Sequence, residues 1–263
     1  MTTTAPAPAA PAVAHPAERH RPSLLRLTAV EVRKLADTRA GYWLLITIGL
    51  LAAGITTVQL IVRDAEWQNF THFFVPSLLP VGLLLPVLGI LSITAEWSQR
   101  TALTTFTLVP RRDRVIVAKL AAMVLAALAS VLVSLAVAAV ATLIARATGG
   151  AGGWSFEASL LLHAVVLQVA GVLMGAAFGL LLLNTPLAIV TYLLLPTLWT
   201  ILGEMVSALR GPARWLDTSV TMEPFFGPHV TAGQWARLAV SLLVWVVVPL
   251  AAGLVRTLRR EVS

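Results

Sequence analysis

The sequence predicts an all-α integral membrane protein of six transmembrane helices, on three observations. Apolar stretches at about 42–62, 74–94, 120–144, 158–183, 187–206 and 238–255 each approach or exceed the roughly 20 residues with which a helix crosses a hydrocarbon core of roughly 30 Å. Hydrophobic residues fill 58% of the 263 positions and charged residues only 12%, with a mean hydropathy of +0.86. Most of these stretches therefore lack the polar face that a soluble bundle turns to water. Finally, Lys and Arg fall mainly on alternate connections.

That alternation sets the topology. One side collects Arg19, Arg21, Arg26, Arg33, Lys34 and Arg39 before span 1, Arg100, Arg111, Arg112, Arg114 and Lys119 between spans 2 and 3, and Arg256, Arg259 and Arg260 after span 6. The other side has Arg63, Arg146, Arg210, Arg214 and Arg237. The positive-inside rule places the richer side, with both termini, in the cytoplasm. A net charge of +7 is thus explained by span-end residues facing anionic headgroups, and no nucleic-acid partner is expected. Trp43, Trp67, Trp97, Trp154 and Trp235 lie near span ends, as interfacial aromatic belts do. The chain has no cysteine, so disulfides and thiolate metal sites do not arise.

Residues 1–22 are rich in Ala, Pro and Thr. They lack the basic start and apolar run of a signal peptide and read as a disordered cytoplasmic tail. Pro22 and Ser23 open a helix over 23–40. At 100° per residue Leu24, Leu25, Leu27, Val32, Leu35 and Ala36 gather on one arc, with Arg26, Arg33 and Asp37 opposite and Val30 out of place. Such a helix belongs in the headgroup plane, with Arg33 and Asp37 as an i,i+4 pair; the alternative is an ordinary basic juxtamembrane stretch. Residues 41–256 form the six-helix domain, and 257–263 a short cytoplasmic tail.

Between spans 2 and 3 the chain reads Glu96-Trp97-Ser98-Gln99-Arg100-Thr101, passes Leu103, Phe106 and Leu108, and gives Pro110-Arg111-Arg112 before Lys119 opens span 3. Glu96 and Arg100 stand one helical turn apart and can pair. Pro110 ends a short helix of about 97–108. Its apolar side chains make it a knob suited to another protein's groove.

With these residues in view, the chain resembles the permease subunits of ABC-2 type ATP-binding cassette exporters. It shares their basic amphipathic helix ahead of span 1, their six spans and their first cytoplasmic loop, here Glu96…Arg100-Thr101…Pro110-Arg111-Arg112…Lys119. Arg100 stands where the family commonly has Gly. The resemblance covers nearly all of the chain from about residue 22. It implies an elbow helix at 23–40 carrying Arg26, Arg33 and Lys34, and a coupling helix within 97–109 seated on a nucleotide-binding subunit. It also implies two permease chains, alike or different, working with two ATPase chains that hold ATP and Mg. This chain has no P-loop of its own: Lys34 and Lys119, its only lysines, are each followed by Leu and lack the preceding glycines.

The spans contain no central ionisable residue, which disfavours proton or ion coupling. Glu204 and His163 fall near the outer ends of spans 5 and 4, and His163 reads as an interhelical hydrogen-bond group rather than a proton relay. The polar side chains within spans, Thr56, Thr57, Gln59, Gln168, Thr197 and Thr200, serve first to join helices, at about 0.6–2 kcal/mol each. Of these, Thr56, Gln59, Gln168 and Thr200 are the candidates for a substrate path. Gly171, Gly175 and Gly179 on span 4, and Ala122, Ala126, Ala129, Ser130, Ala136 and Ala139 on span 3, predict two inner, closely packed helices. Pro76, Pro80 and Pro86 in span 2, Pro196 in span 5 and Pro249 in span 6 invite kinks.

Asn184-Thr185-Pro186 predicts a tight turn between spans 4 and 5. The external segment 207–237, with Phe225 and Phe226 between prolines, corresponds in the resembled family to short re-entrant helices. No H-E-x-x-H or G-x-S-x-G motif is present, so an intramembrane enzyme is the weaker reading. An ATP-independent carrier or a scaffold is the alternative. Many Ala, Arg and Leu residues with two Lys point to a GC-rich bacterial genome and a plasma-membrane location. The uncharged interior suits an apolar or amphipathic cargo.

Overall fold

The computed structural model describes residues 23–62, 64–98, 112–150 and 152–259. Among them six helices are long and apolar enough to cross a membrane. A shorter helix, α1 (Leu24–Asp37), precedes them. Span 1 is α2 (Arg39–Val62), span 2 is α3 (Phe70–Ser98), span 3 is α4 (Arg112–Ala147), span 4 is α5 (Ala158–Leu182) and span 5 is α6 (Thr185–Met205). Two short helices follow, α7 (Arg210–Leu216) and α8 (Thr218–Met222). Span 6 is built from α9 (Ala232–Leu242), a π-helical turn (Leu243–Val247) and α10 (Val248–Arg259). The chain is a multi-pass membrane protein.

Local chemistry explains the breaks. The Ser23 hydroxyl accepts from the Arg26 N–H at 3.3 Å and starts α1. Thr38 is extended and ends it, while its own hydroxyl accepts from the Gly41 N–H at 3.2 Å to begin α2. The Asn184 side chain accepts from Leu187 N–H at 3.0 Å, with Pro186 in the first turn of span 5. Thr231 and Gln234 form a reciprocal capping box that starts α9.

Spans 2 and 4 occupy the centre. In each, 56% of the apolar window is buried, against 17% in span 1 and 11% in span 5. The seam between them depends on glycine: a Cβ on Gly175 would stand 2.2 Å from the Pro86 carbonyl oxygen, and one on Gly179 3.2 Å from Ile93 Cβ. Gly171, one turn earlier, faces Pro86 Cγ. The small-residue stripe of span 4 therefore packs within the chain. Span 3 differs from the inner helix its small residues predict. Ala122, Ala127, Ala138, Ala141 and Ala145 are buried, while Ala129 and Ala136 face outward with Leu125, Leu132, Val133 and Val140. Alanine is simply abundant around the whole helix.

Three boundaries differ from the hydropathy reading. Span 2 begins at Phe70, because Phe70, Phe73 and Phe74 pack into the core before the apolar run proper. Span 3 begins at Arg112, so Lys119 lies about two turns inside the helix instead of at its mouth. Arg112, Arg114 and Lys119 are good helix formers, and charge ends an apolar window without ending a helix. Span 6 begins at Ala232 rather than 238, because the Thr231–Gln234 capping box starts the helix ahead of the apolar run.

The connections remote from α1 gather at what we term the distal end. Phe70 N–H donates to the Gly153 carbonyl, Gly152 N–H to that of Gln68, and the Thr71 hydroxyl to that of Ser155. Gly152 has φ +51°, and a side chain there would collide with Arg146.

Candidate functional site

The most completely built polar cluster lies at the proximal end, where α1 meets spans 2 and 3. Glu31 and Lys119 are each 5% exposed. Lys119 Nζ donates to Glu31 Oε2 at 2.8 Å and to the Ser92 carbonyl of span 2 at 3.1 Å. Lys34 Nζ donates to Glu31 Oε1 at 2.7 Å from a half-exposed position one turn along α1. Burial alone would raise the Glu31 carboxyl. Attraction to Lys119, with hydrogen bonds from Lys119 and Lys34, outweighs it and holds the group below its ordinary 4.5.

α1 consequently presents three faces. Leu27, Thr28, Glu31 and Leu35 turn toward the bundle. Leu25, Ala29, Val32 and Ala36 form an exposed, mostly apolar strip about 100° round the helix, and Arg26, Arg33 and Asp37 lie beyond it. This corrects the predicted arc, since Leu24, Leu25 and Val32 are exposed while Leu27 and Leu35 pack inward. Arg33 and Asp37 form no ion pair; Lys34 and Glu31 do. Glu31 had no part in the sequence reading. Its signal was present nonetheless, an acidic residue spaced i,i+4 from both Leu27 and Leu35.

The sequence knob ends on the same cluster's neighbours. Glu96 lies in the last turn of span 2 and Arg112 at the first position of span 3. Their side chains, with Arg100, Thr101, Leu103, Phe106, Pro110 and Arg111, lie outside the described residues, as do the tail 1–22 and residues 260–263.

A second candidate site is a cavity of about 350 Å³ between spans 2, 4 and 5 and the segment 218–226. Leu78, Gly82, Gln168, Gly171, Tyr192 and Thr197 are among its walls. Gln168 is 4% exposed, and its Nε2 donates to the Leu78 carbonyl at 3.1 Å.

The four candidate path residues do not converge. Thr56 is buried on span 1 with its hydroxyl bonded to its own helix at the Ala52 carbonyl, 2.8 Å away. Gln59 donates at 3.0 Å to the His72 carbonyl, which Pro76 leaves without its helical donor. Thr200 bonds Asp217 Oδ1 at 3.0 Å and so joins span 5 to α8. Only Gln168 lines the 350 Å³ cavity. Asp217, absent from the sequence reading, is 3% exposed and also accepts from the Ser219 and Val220 N–H groups that start α8.

The distal end is held by an aromatic cluster. His163 Nδ1–H donates to the Gly227 carbonyl at 3.0 Å, and its ring meets Phe225 and Trp235 at centroid distances of 5.2 and 5.8 Å. Phe225 and Trp235 stand edge to face at 4.7 Å. Trp245 Nε1, in the π turn, donates to the Leu216 carbonyl at 2.6 Å and ties span 6 to α7. Phe225→Ala should therefore cost about 3 kcal/mol or more, read as a lower unfolding temperature and faster proteolysis within 207–231. Unchanged proteolysis there would show that Phe225 does not hold the segment.

Fold and sites together define a multi-pass membrane protein with a charged tie at one end of its bundle and a largely apolar cavity between its spans. Neither the known protein-family models nor the curated proteins contain a match to this chain.

Proposed function

We propose that this chain is the transmembrane permease subunit of an ATP-driven exporter of the ABC-2 type. It works beside a second permease chain, with both termini cytoplasmic in a bacterial plasma membrane, and moves an apolar or amphipathic substrate. ATP and Mg are bound by a separate nucleotide-binding subunit. The observation that carries this reading is the Glu31–Lys119–Ser92 tie. It fastens α1 to spans 2 and 3 close to where the segment 99–111 leaves the one and enters the other.

Force applied to that segment by a docked ATPase would move the ends of spans 2 and 3 and α1 as one piece. The exposed apolar strip of α1, beside its arginines, suits a helix lying in the headgroup plane. Spans 1 and 5, the least buried, leave broad apolar faces for lipid or for the second permease chain.

The test is affinity purification of the detergent-solubilised chain from its native membrane, followed by mass spectrometry of what accompanies it. A P-loop ATPase in near-equal amount is the expected result. Its absence at good recovery, with transport by the chain alone in liposomes, would replace this reading with an ATP-independent carrier. Absence of both would leave a scaffold.

A further inference from the structure

From the cavity between spans 2, 4 and 5 and the charged pocket beside it, we infer that the distal half of the chain binds a single-chain amphiphile with a zwitterionic head carrying a phosphodiester and an ammonium group. This deepens the exporter reading by naming a substrate class, and it rests on that reading only for the step of transport.

Two spaces adjoin. The 350 Å³ cavity is walled mainly by Leu, Met, Gly, Pro and Phe side chains. Next to it an open pocket of about 690 Å³ is lined by Thr200, Glu204, Arg210, Arg214, Asp217 and Glu223, among others. Both volumes fall within the range of small-molecule sites, about 300–1,000 Å³. Near neighbours in sequence are divided between them: Thr197 and Thr200 on span 5, Thr218 and Ser219 on α8, Met222 and Glu223 after it. The Thr200–Asp217 hydrogen bond lies on the wall of the charged pocket. An apolar compartment therefore meets a charged one within a turn of helix, which is the division between tail and head in an amphiphile.

The charges specify the head. Asp217 is committed to Thr200 and the start of α8. Glu204, Arg210, Arg214 and Glu223 are exposed, and none of their side chains forms an ion pair or hydrogen bond with another described residue. Two free guanidinium groups face two free carboxylates, and Asp217 adds a third carboxylate that is hydrogen-bonded to neutral donors. A purely anionic or purely cationic head would meet repulsion from one pair, whereas a zwitterion engages both. Arg210 and Arg214, at i,i+4 on α7, offer planar forks to phosphodiester oxygens, and Glu204 and Glu223 attract the ammonium.

Gln168 is a buried polar side chain in the wall of the tail compartment. Its Nε2 is held by the Leu78 carbonyl, and its Oε1 makes no hydrogen bond with another described residue.

The experiment titrates a pyrene-labelled lysophosphatidylcholine into the purified chain in a maltoside detergent, without ATP or any partner. Saturable binding is expected in the wild type, weakened by about tenfold or more in R210E/R214E, where charge-assisted bonds to phosphate are lost. T197W, which fills the cavity from an exposed position, should weaken it similarly. An alkyl phosphate of equal tail length, lacking the ammonium, should bind more weakly than the zwitterion, and E204Q/E223Q should abolish that difference. Variants are compared only if they elute as the wild type does. Absence of saturable binding in the wild type, or binding untouched by both R210E/R214E and T197W, would overturn the site. Equal affinity for the alkyl phosphate would overturn the zwitterionic assignment. Because ATP and partners play no part, these failures are separate from failure of the exporter reading, which the co-purification decides.

Discussion

Glu31→Ala is expected to destabilise the purified chain by about 3–5 kcal/mol, the cost of removing one partner of a buried ion pair. Lys119, 5% exposed, would keep the Ser92 carbonyl and lose the Glu31 carboxylate. Lys119→Met alone should cost less, because Lys34 still pairs with Glu31 from a half-exposed position. The double change E31A/K119M should recover much of the loss, since no charge is then stranded. Thermal unfolding in detergent reads all three, and a double variant no better than E31A would show that the tie is not an isolated pair.

The same pair fixes a pH dependence. The folded carboxyl titrates below its ordinary 4.5, so its contribution is complete above that value. It fades as pH falls through the depressed folded value, because the unfolded chain then binds the proton more readily. Wild-type unfolding temperature should drop below pH 4.5 by more than that of E31A/K119M. Parallel curves would mean that the carboxyl contributes nothing across this window.

Gly175→Val is the second large effect. Its Cβ alone would stand 2.2 Å from the Pro86 oxygen and 2.9 Å from Pro86 Cα. Those are backbone atoms, with no rotamer to yield, so spans 2 and 4 must part. Within a bilayer such a seam is held by close packing rather than by exclusion of water, and separation spreads along it, Gln168 and the Leu78 carbonyl included. A loss at or above the upper end of about 1–3 kcal/mol is expected. Gly54→Ala, with nothing within 4 Å of the added methyl, should instead be neutral or slightly stabilising, since alanine is the better helix former. Equal unfolding temperatures for the two variants would refute this account of the stripe.

The six spans were legible because length and apolar composition alone define them, and a membrane leaves helices few alternatives. The charged tie was not, although both its partners are plain in the sequence. Lys119 follows a run of arginines and reads as the opening of span 3, a position from which it has no reason to be buried. Glu31 sits 88 residues away, and no local pattern joins the two. Asp217 escaped similarly: a single acid in a mixed segment reads as surface until Thr200 is found beside it. Gln59, Gln168 and Thr200 were legible as polar groups within spans, but which carbonyl or carboxylate each would meet depends on how the helices are rotated against one another. Of the predicted coupling residues, Glu96 and Arg112 lie in the ends of spans 2 and 3, while Arg100, Thr101, Leu103, Phe106, Pro110 and Arg111 lie outside the described residues.

The bond from Gln59 to the His72 carbonyl has a bearing on biosynthesis. Span 1 leaves the ribosome carrying an amide that lipid cannot satisfy, and span 2 follows with a carbonyl that Pro76 has deprived of its donor. The His72 carbonyl finds a donor, and the Gln59 amide N–H an acceptor, only when both helices are side by side, with a connection of a few residues between them. The two should therefore partition into the bilayer as a hairpin. Gln59→Leu would relax that requirement for span 1 while leaving span 2 the harder of the two to insert, a difference that glycosylation mapping of truncated chains would register.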